Sequence, residues 1–385
     1  MHNQQFTKKQ HYISQGLLRL FSDNGTHIYE CSIPRRKVYR ANISNAMEEN
    51  CTYEHPLLEE NTLEKAFAEI EASFIPEICS IVDDAISSQK SATDIYNQVS
   101  PWFEIFLLFY YRSGAVLSEF CYGIDDSTVK KQLRVRRLLE VITTRSYLKK
   151  LANALRNGYS FSLLHSGDGC FVISDQYIAT VALAYKNEFI NTSNRAIGMK
   201  ETMILLPLSS SLYIALFNGK APDYIKANQL CCLTKSELFQ INKIIYHNSF
   251  NKCAASSREI LEELGKEEFF SYGAVEVFWG GENGNTGGCT KKKEIFFYHE
   301  DEDICTYHMQ YALKYRDLLD CFGKAHLRNI KCPCGSGKKF KACCLTKYMR
   351  SFQALEETQN PALQNYHIPG CISEMPIYEF WSTGK

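Results

Sequence analysis

Thirteen residues, Cys332-Pro333-Cys334-Gly335-Ser336-Gly337-Lys338-Lys339-Phe340-Lys341-Ala342-Cys343-Cys344, constrain this chain more tightly than any other stretch. Paired cysteines stand at both ends, and the Gly335-Ser336-Gly337 turn lets the chain double back so that four thiolates can close a tetrahedron around one Zn2+. Lys331, Lys338, Lys339 and Lys341 suit the excess negative charge that four thiolates leave on the metal. A site of this kind is closed, with no open position for a substrate, so its expected role is structural. Metal binding there can contribute on the order of 10 kcal/mol to folding the segment. A disulfide framework is the alternative use of the same cysteines, and it requires an oxidising compartment.

The compartment is read from the rest of the chain. Its 385 residues suffice for two domains, or for one large domain with appendages, and 45% hydrophobic residues can fill a sizeable core. Sixteen cysteines without a compact secreted spacing, and a start at Met1-His2-Asn3-Gln4-Gln5 with no apolar signal core, point to a reducing cytosol. The formal net charge is zero, so attraction to nucleic acid must be local. The most membrane-like stretch, 102–120, is interrupted by Glu104, Arg112 and Glu119; a buried helix is expected, and no membrane span.

An α+β fold is expected: a mostly helical N-terminal part with short antiparallel strands, and a small C-terminal zinc module. Asp23-Asn24-Gly25 reads as a hairpin-type turn, with strands over 26–33 and 37–40. Leu63, Phe67, Ile70, Phe74, Ile78, Ile81 and Ala85 recur at helical spacing, Asn61 or Thr62 is placed to cap that helix, and Pro76 is expected to kink it. Residues 128–157 read as one long helix whose basic face carries Lys130, Lys131, Arg134, Arg136 and Arg137, either solvated or able to touch phosphates. Strands follow at 159–165 and 170–174 around a Ser166-Gly167-Asp168-Gly169 hairpin turn, then at 203–208 and 212–217. Helices are expected at 235–248 and 257–264, and strands at 274–279 and 293–298 joined by a glycine-rich tip that lacks the Gly-Lys-Ser/Thr ending of a phosphate loop. The acidic run His299 to Asp303 with His308 reads as a solvated loop, 307–322 as a helix, and the tail from Pro361 as an irregular arm. The boundaries drawn are 1–258 for the α+β domain, 259–330 for a connecting helix and hairpin region, 331–347 for the zinc module and 348–385 for the tail.

Two resemblances add to this. The cysteine segment resembles the SEC-C motif, first described at the C terminus of the SecA translocation ATPase. That resemblance implies Cys332, Cys334, Cys343 and Cys344 as the zinc ligands and an adaptor surface for a protein or ribosomal partner, and the lysines would also tolerate nucleic acid. Residues 10–255 resemble a prokaryotic domain-of-unknown-function family. The shared blocks are His11-Tyr12 running into Leu18-Arg19-Leu20-Phe21, Leu63-Glu64-Lys65 with Ile70-Glu71, Tyr111-Arg112, and Ser174-Asp175. Two positions depart from that pattern: Ser14 and Tyr177 stand where the family has proline.

The residues in these blocks form a polar set: His11, Arg19, Glu64, Glu71, Arg112 and Asp175. Glu64 and Glu71 are seven residues apart on one helix, within about 20° in azimuth. Three carboxylates and a histidine suit Mg2+ or Mn2+, and arginines beside them could steady a phosphate during metal-assisted hydrolysis. The simpler use of the same residues is structural, with Glu64 and Glu71 pairing Arg19 and Arg112 to fix helix packing. Two function classes follow. One is a metal-dependent nuclease or phosphoesterase targeted by its zinc segment, for which the family resemblance suggests an antiphage or toxin-like role. The other is a noncatalytic scaffold that carries the SEC-C segment to its partner. Oligomeric state and substrate are open at this point.

Overall fold

The computed structural model describes residues 9–56, 58–87, 90–113, 126–143, 145–183, 197, 202–266, 275–280, 286–291, 328–332, 336–343 and 345. It is α+β, as expected.

The N-terminal region builds one wall of a cleft. Strand β1 (Lys9–His11) leads into helix α1 (Gln15–Leu20), which starts where Ser14 Oγ accepts the Leu17 N–H at 3.2 Å. The Asp23-Asn24-Gly25 turn joins α1 to a strand and is not a hairpin. Gly25 sits at φ +73°, and Asn24 Oδ1 accepts the Thr26 and His27 N–H groups at 3.0 Å each. The hairpin lies one connection later, between β2 (His27–Ser32) and β3 (Lys37–Asn42). Strand β4 (Glu48–Asn50) then returns to pair antiparallel with β1, which sets Glu48 opposite His11.

Helix α2 (Thr62–Ile86) forms the other wall. Its buried stripe is Leu63, Phe67, Phe74, Ile78, Ile81, Val82 and Ala85, at the spacing that hides one face of a helix. Asn61 holds the N-cap position at φ +61° without a side-chain cap bond, and Thr62 Oγ1 donates instead to the Glu59 carbonyl at 2.6 Å. Pro76 lies inside the helix without ending it. After α3 (Ala92–Val99), whose start carries a Ser91/Asp94 capping box, comes the aromatic helix α4 (Phe103–Arg112). Phe74 packs edge-on against Phe106 and Phe109, centroids 5.2 and 5.3 Å away. Burial explains the apolar run around α4: no helix among the described residues is long and apolar enough to cross a membrane.

The expected single helix over 128–157 is described as two, α5 (Ser127–Thr143) and α6 (Arg145–Gly158). Strands β5 (Ser160–His165) and β6 (Ile173–Ser174) do not pair across the Ser166–Gly169 turn; they belong to different sheets. With β7 (Ala179–Ala182), β8 (Thr202–Pro207), β9 (Leu212–Phe217) and β10 (Leu230–Cys232), β5 forms a five-stranded sheet in the order β10-β5-β9-β8-β7. Only its β10/β5 pair is parallel. Helix α7 (Lys235–Asn248) begins with a Thr234/Glu237 capping box, and β11 (Lys252–Ala255) completes the antiparallel sheet β3-β2-β11-β6 before α8 (Arg258–Leu264). Buried apolar residues from both of these sheets and from α2, α4, α5, α6 and α7 form one core.

Strands β12 (Val275–Gly280) and β13 (Thr286–Lys291) pair antiparallel. The returning strand therefore begins inside the glycine-rich stretch, at Thr286. The strand expected at 293–298, the acidic loop with His308, the helix expected at 307–322 and the tail arm all lie outside the described residues.

Candidate functional site

A cavity of about 390 Å³ opens between α1 and α2, and five of the six polar residues line it: His11, Arg19, Glu64, Glu71 and Arg112, together with Gln15 and Gly16. The helical repeat brings Glu64 and Glu71 to this face of α2. Gly16 lets α1 approach closely; a Cβ there would lie 3.0 Å from two Ile75 side-chain carbons.

Arg112 is tied into the protein through all three of its guanidinium nitrogens. Its side chain is 3% exposed; Nε donates to Tyr53 Oη at 3.0 Å, Nη2 donates to the His11 carbonyl at 2.7 Å, and Nη1 forms an ion pair with Glu71 Oε1. The guanidinium also lies over the Phe67 ring, 4.4 Å from its centroid. Burial by itself would lower its pKa, but Tyr53 and Glu71 outweigh that and raise it further above the ordinary value. Tyr53 closes the knot by donating to the His11 carbonyl at 3.0 Å, and burial pushes its own hydroxyl up to about 12.

His11 faces Ile43, whose carbonyl lies 3.2 Å from Nε2. A carbonyl only accepts, so Nε2 carries the hydrogen and Nδ1 keeps its lone pair. Burial lowers the His11 pKa, opposed by the Ile43 bond and by Glu48, and aided by Arg112. Glu64 shifts the other way: burial raises its pKa, Arg112 offsets part of that, and Glu71 and Glu54 add to it. Glu64 Oε2 is buried without a hydrogen-bond partner among the described residues. Arg19, on the exposed rim, has no described partner for its guanidinium.

Asp175 is not brought to this cavity. Its Oδ1 accepts the Phe250 N–H at 2.8 Å, and its Oδ2 accepts those of Asn251 and Lys252 at 2.7 and 2.9 Å, which fastens the end of β6 to the start of β11. Tyr177, the departure from the family pattern, sits at φ +74°, a backbone conformation that a proline ring cannot adopt. With Asp175 held by backbone and Glu71 by Arg112, the expected Mg2+ or Mn2+ set of carboxylates and histidine is not assembled. Among the described residues no group of three or more His, Cys, Asp or Glu could hold a metal ion.

The basic face of α5 shares two carboxylates among four of its five cations and so stays net positive. Lys131 and Arg134 reach Glu49 at 3.3 and 2.8 Å, and Arg136 and Arg137 reach Glu140 at 3.7 and 2.9 Å. Burial opposes ionisation of Glu49, but Arg134 and Lys131 prevail and lower its pKa. Gln15 and Tyr53 were missed in the sequence. The Ser14 cap signal marks the turn that carries Gln15, whereas Tyr53 lies in an irregular stretch with no periodic signal.

In the cysteine segment, Lys331 and Lys339 bridge antiparallel, the Cys332 N–H donates to the Lys338 carbonyl at 2.8 Å, and Gly337 turns the chain at φ +72°. The chain thus doubles back between its two cysteine pairs, with Phe340 buried beneath. Ser336 Oγ lies 3.2 Å from Cys343 Sγ, a hydroxyl suited to steady a ligating thiolate. Cys334 and Cys344 lie outside the described residues. Soft thiolate donors on a backbone folded in this way fit Zn2+.

Comparison with curated proteins and with solved structures finds no match. Residues 328–346 match the SEC-C motif, which agrees with the cysteine spacing. The match that covers more than half of the chain is over residues 9–259, the span that holds the whole cleft and Asp175, and by it this protein belongs to the DUF4238 family, described as proteins of unknown function.

Proposed function

We propose that this protein is a hydrolase of nucleic acid or a nucleotide, with the α1–α2 cleft as its reaction centre. The SEC-C segment is then a zinc-stabilised module that docks a protein or ribosomal partner in the cytoplasm. The observation that carries this reading is the meeting, in one cavity, of a histidine with a single open ring nitrogen and an arginine without a partner among the described residues. His11 Nδ1 can take the proton of an attacking hydroxyl or water, and burial lowers the His11 pKa, which favours the neutral imidazole that this task needs. Arg19 supplies the charge that holds a phosphate. Glu71 and Asp175 are committed to protein partners, so proton transfer by His11 stands at the centre of this reading, and dependence on Mg2+ or Mn2+ is left to the assay.

The test is cleavage of single- and double-stranded DNA and RNA by purified protein, with Mg2+, with Mn2+ and with EDTA, comparing wild type with His11→Gln and Arg19→Ala. Cleavage lost in both variants while the fold is retained supports the hydrolase, and challenge of expressing cells with phage then tests a defence or toxin role. Absence of cleavage under every condition favours the second reading, a noncatalytic scaffold that presents the SEC-C segment. Arg112 favours that reading, since all three of its guanidinium nitrogens are bound within the protein, as expected of a pair that fixes helix packing.

A further inference from the structure

Proton carriers and cations share the α1–α2 cavity. His11 lines it with Nε2 committed to the Ile43 carbonyl, so Nδ1 is the ring nitrogen left for a ligand. Glu64 lines it with Oε2 buried and without a partner among the described residues, so Oε1 is the oxygen that a ligand can reach. Arg112 spends three of its five N–H donors on Tyr53, Glu71 and the His11 carbonyl, which leaves one N–H each on Nη1 and Nη2. Arg19 adds a second guanidinium at the exposed rim. At about 390 Å³ the cavity is large enough for a ribose phosphate unit.

A phosphodiester is attacked by water or by a neighbouring hydroxyl. Water must be placed as well as deprotonated, whereas the ribose 2′-hydroxyl is already held beside its own phosphorus, an arrangement that reaches effective molarities of about 10⁵–10⁸ M when well oriented. A base, an acid and fixed cations then suffice. We propose that the α1–α2 cleft cleaves RNA by transesterification, with the 2′-hydroxyl as nucleophile, His11 as base and Glu64 as acid. The 2′-oxygen gives its proton to His11 Nδ1 and bonds to phosphorus, the P–O5′ bond breaks, and Glu64 Oε1 gives a proton to the departing O5′. The products are a 2′,3′-cyclic phosphate and a 5′-hydroxyl. Arg19 and the two remaining Arg112 N–H groups meet the charge that grows on the nonbridging oxygens. Burial raises the Glu64 pKa, and a phosphate monoanion beside it raises it further, both of which favour the protonated carboxyl that this role needs. The inference rests on reading the cleft as a nucleic-acid reaction centre, and it adds the substrate class, RNA and not DNA.

The experiment offers the full-length protein a random-sequence RNA oligonucleotide, its 2′-deoxy and 2′-O-methyl counterparts, and the same RNA with sulfur replacing O5′ at one linkage, with products read by mass spectrometry. Only strands with a free 2′-hydroxyl should be cut, leaving cyclic phosphate ends. Glu64→Gln should slow cleavage of ordinary RNA about 100-fold or more, yet cut the sulfur linkage within about tenfold of wild type, because a thiolate leaves without a proton. His11→Gln should slow both linkages alike. That rescue separates an acid from a residue that only supports the fold, and circular dichroism establishes that each variant is folded. Cleavage of the 2′-deoxy or 2′-O-methyl strand, RNA products ending in a 5′-phosphate, or a Glu64→Gln variant equally slow at both linkages overturns this inference and leaves the hydrolase standing. Absence of cleavage of RNA and DNA alike removes the hydrolase and this inference together.

Discussion

Replacing Glu71 by alanine separates a structural ion pair from a catalytic carboxylate. In the native protein Arg112 has 3% of its side chain exposed and Glu71 has 22%. Removing the carboxylate strands a buried guanidinium that keeps only Tyr53 and the His11 carbonyl. Breaking one side of a buried pair costs about 3–5 kcal/mol, and water reaching the half-open Glu71 side puts the expected loss near the lower end, about 3 kcal/mol. For a domain of this size each kcal/mol lowers the midpoint by about 2–4 °C, so Glu71→Ala should melt roughly 6–12 °C below wild type. Glu71→Ala/Arg112→Met, which removes the stranded charge as well, should regain a good part of that loss. Thermal and urea unfolding of wild type, both single variants and the double variant complete the cycle. A Glu71→Ala midpoint within about 2 °C of wild type would refute the reasoning from burial and leave Glu71 available to chemistry.

Four further outcomes are expected. Glu64 has a raised native pKa, so the folded protein holds that proton more tightly than the unfolded chain, and stability falls as pH rises from about 4.3 through the native value. Glu64→Gln should therefore be more stable than wild type at pH 8, with the difference vanishing below the ordinary carboxylate range; equal unfolding curves at pH 8 would contradict this. His11 works in the opposite sense. Its lowered pKa makes the native state lose stability as pH falls through about 6.5, and His11→Gln should remove that slope from a pH series of melting points. Asp175→Ala leaves three backbone N–H groups without their acceptor and should cost about 3 kcal/mol or more in urea unfolding, with no effect on RNA cleavage by the folded variant. Finally, elemental analysis of protein purified without chelator should find about one zinc per chain, lost in Cys332→Ser/Cys343→Ser, and zinc-free wild type would contradict the thiolate site.

Local patterns gave correct elements wherever one face of the chain meets the core. The stripe on α2, the capped start of α7 and the β8/β9 hairpin are each encoded within a few residues, by helical period, by Thr234 with Glu237, and by two apolar runs around a short turn. Turn chemistry was legible, but the partner was not. Asp23-Asn24-Gly25 and Ser166-Gly167-Asp168-Gly169 do reverse or redirect the chain, yet neither joins two paired strands, because the sheet that accepts the next strand is chosen by distant residues such as β11 and β9.

The site divides along the same line. Sequence alone determined that Glu64 and Glu71 share a helix face and that two cysteine pairs flank a turning segment, since both follow from fixed periodicity and spacing. Only tertiary structure decided that His11 and Arg112, a hundred residues apart, meet the same cavity while Asp175 turns to the backbone of β11. Ionisable side chains reach several ångströms in any direction, and where each comes to rest is set by the desolvation it must offset and by the donors or charges that long-range packing brings within reach.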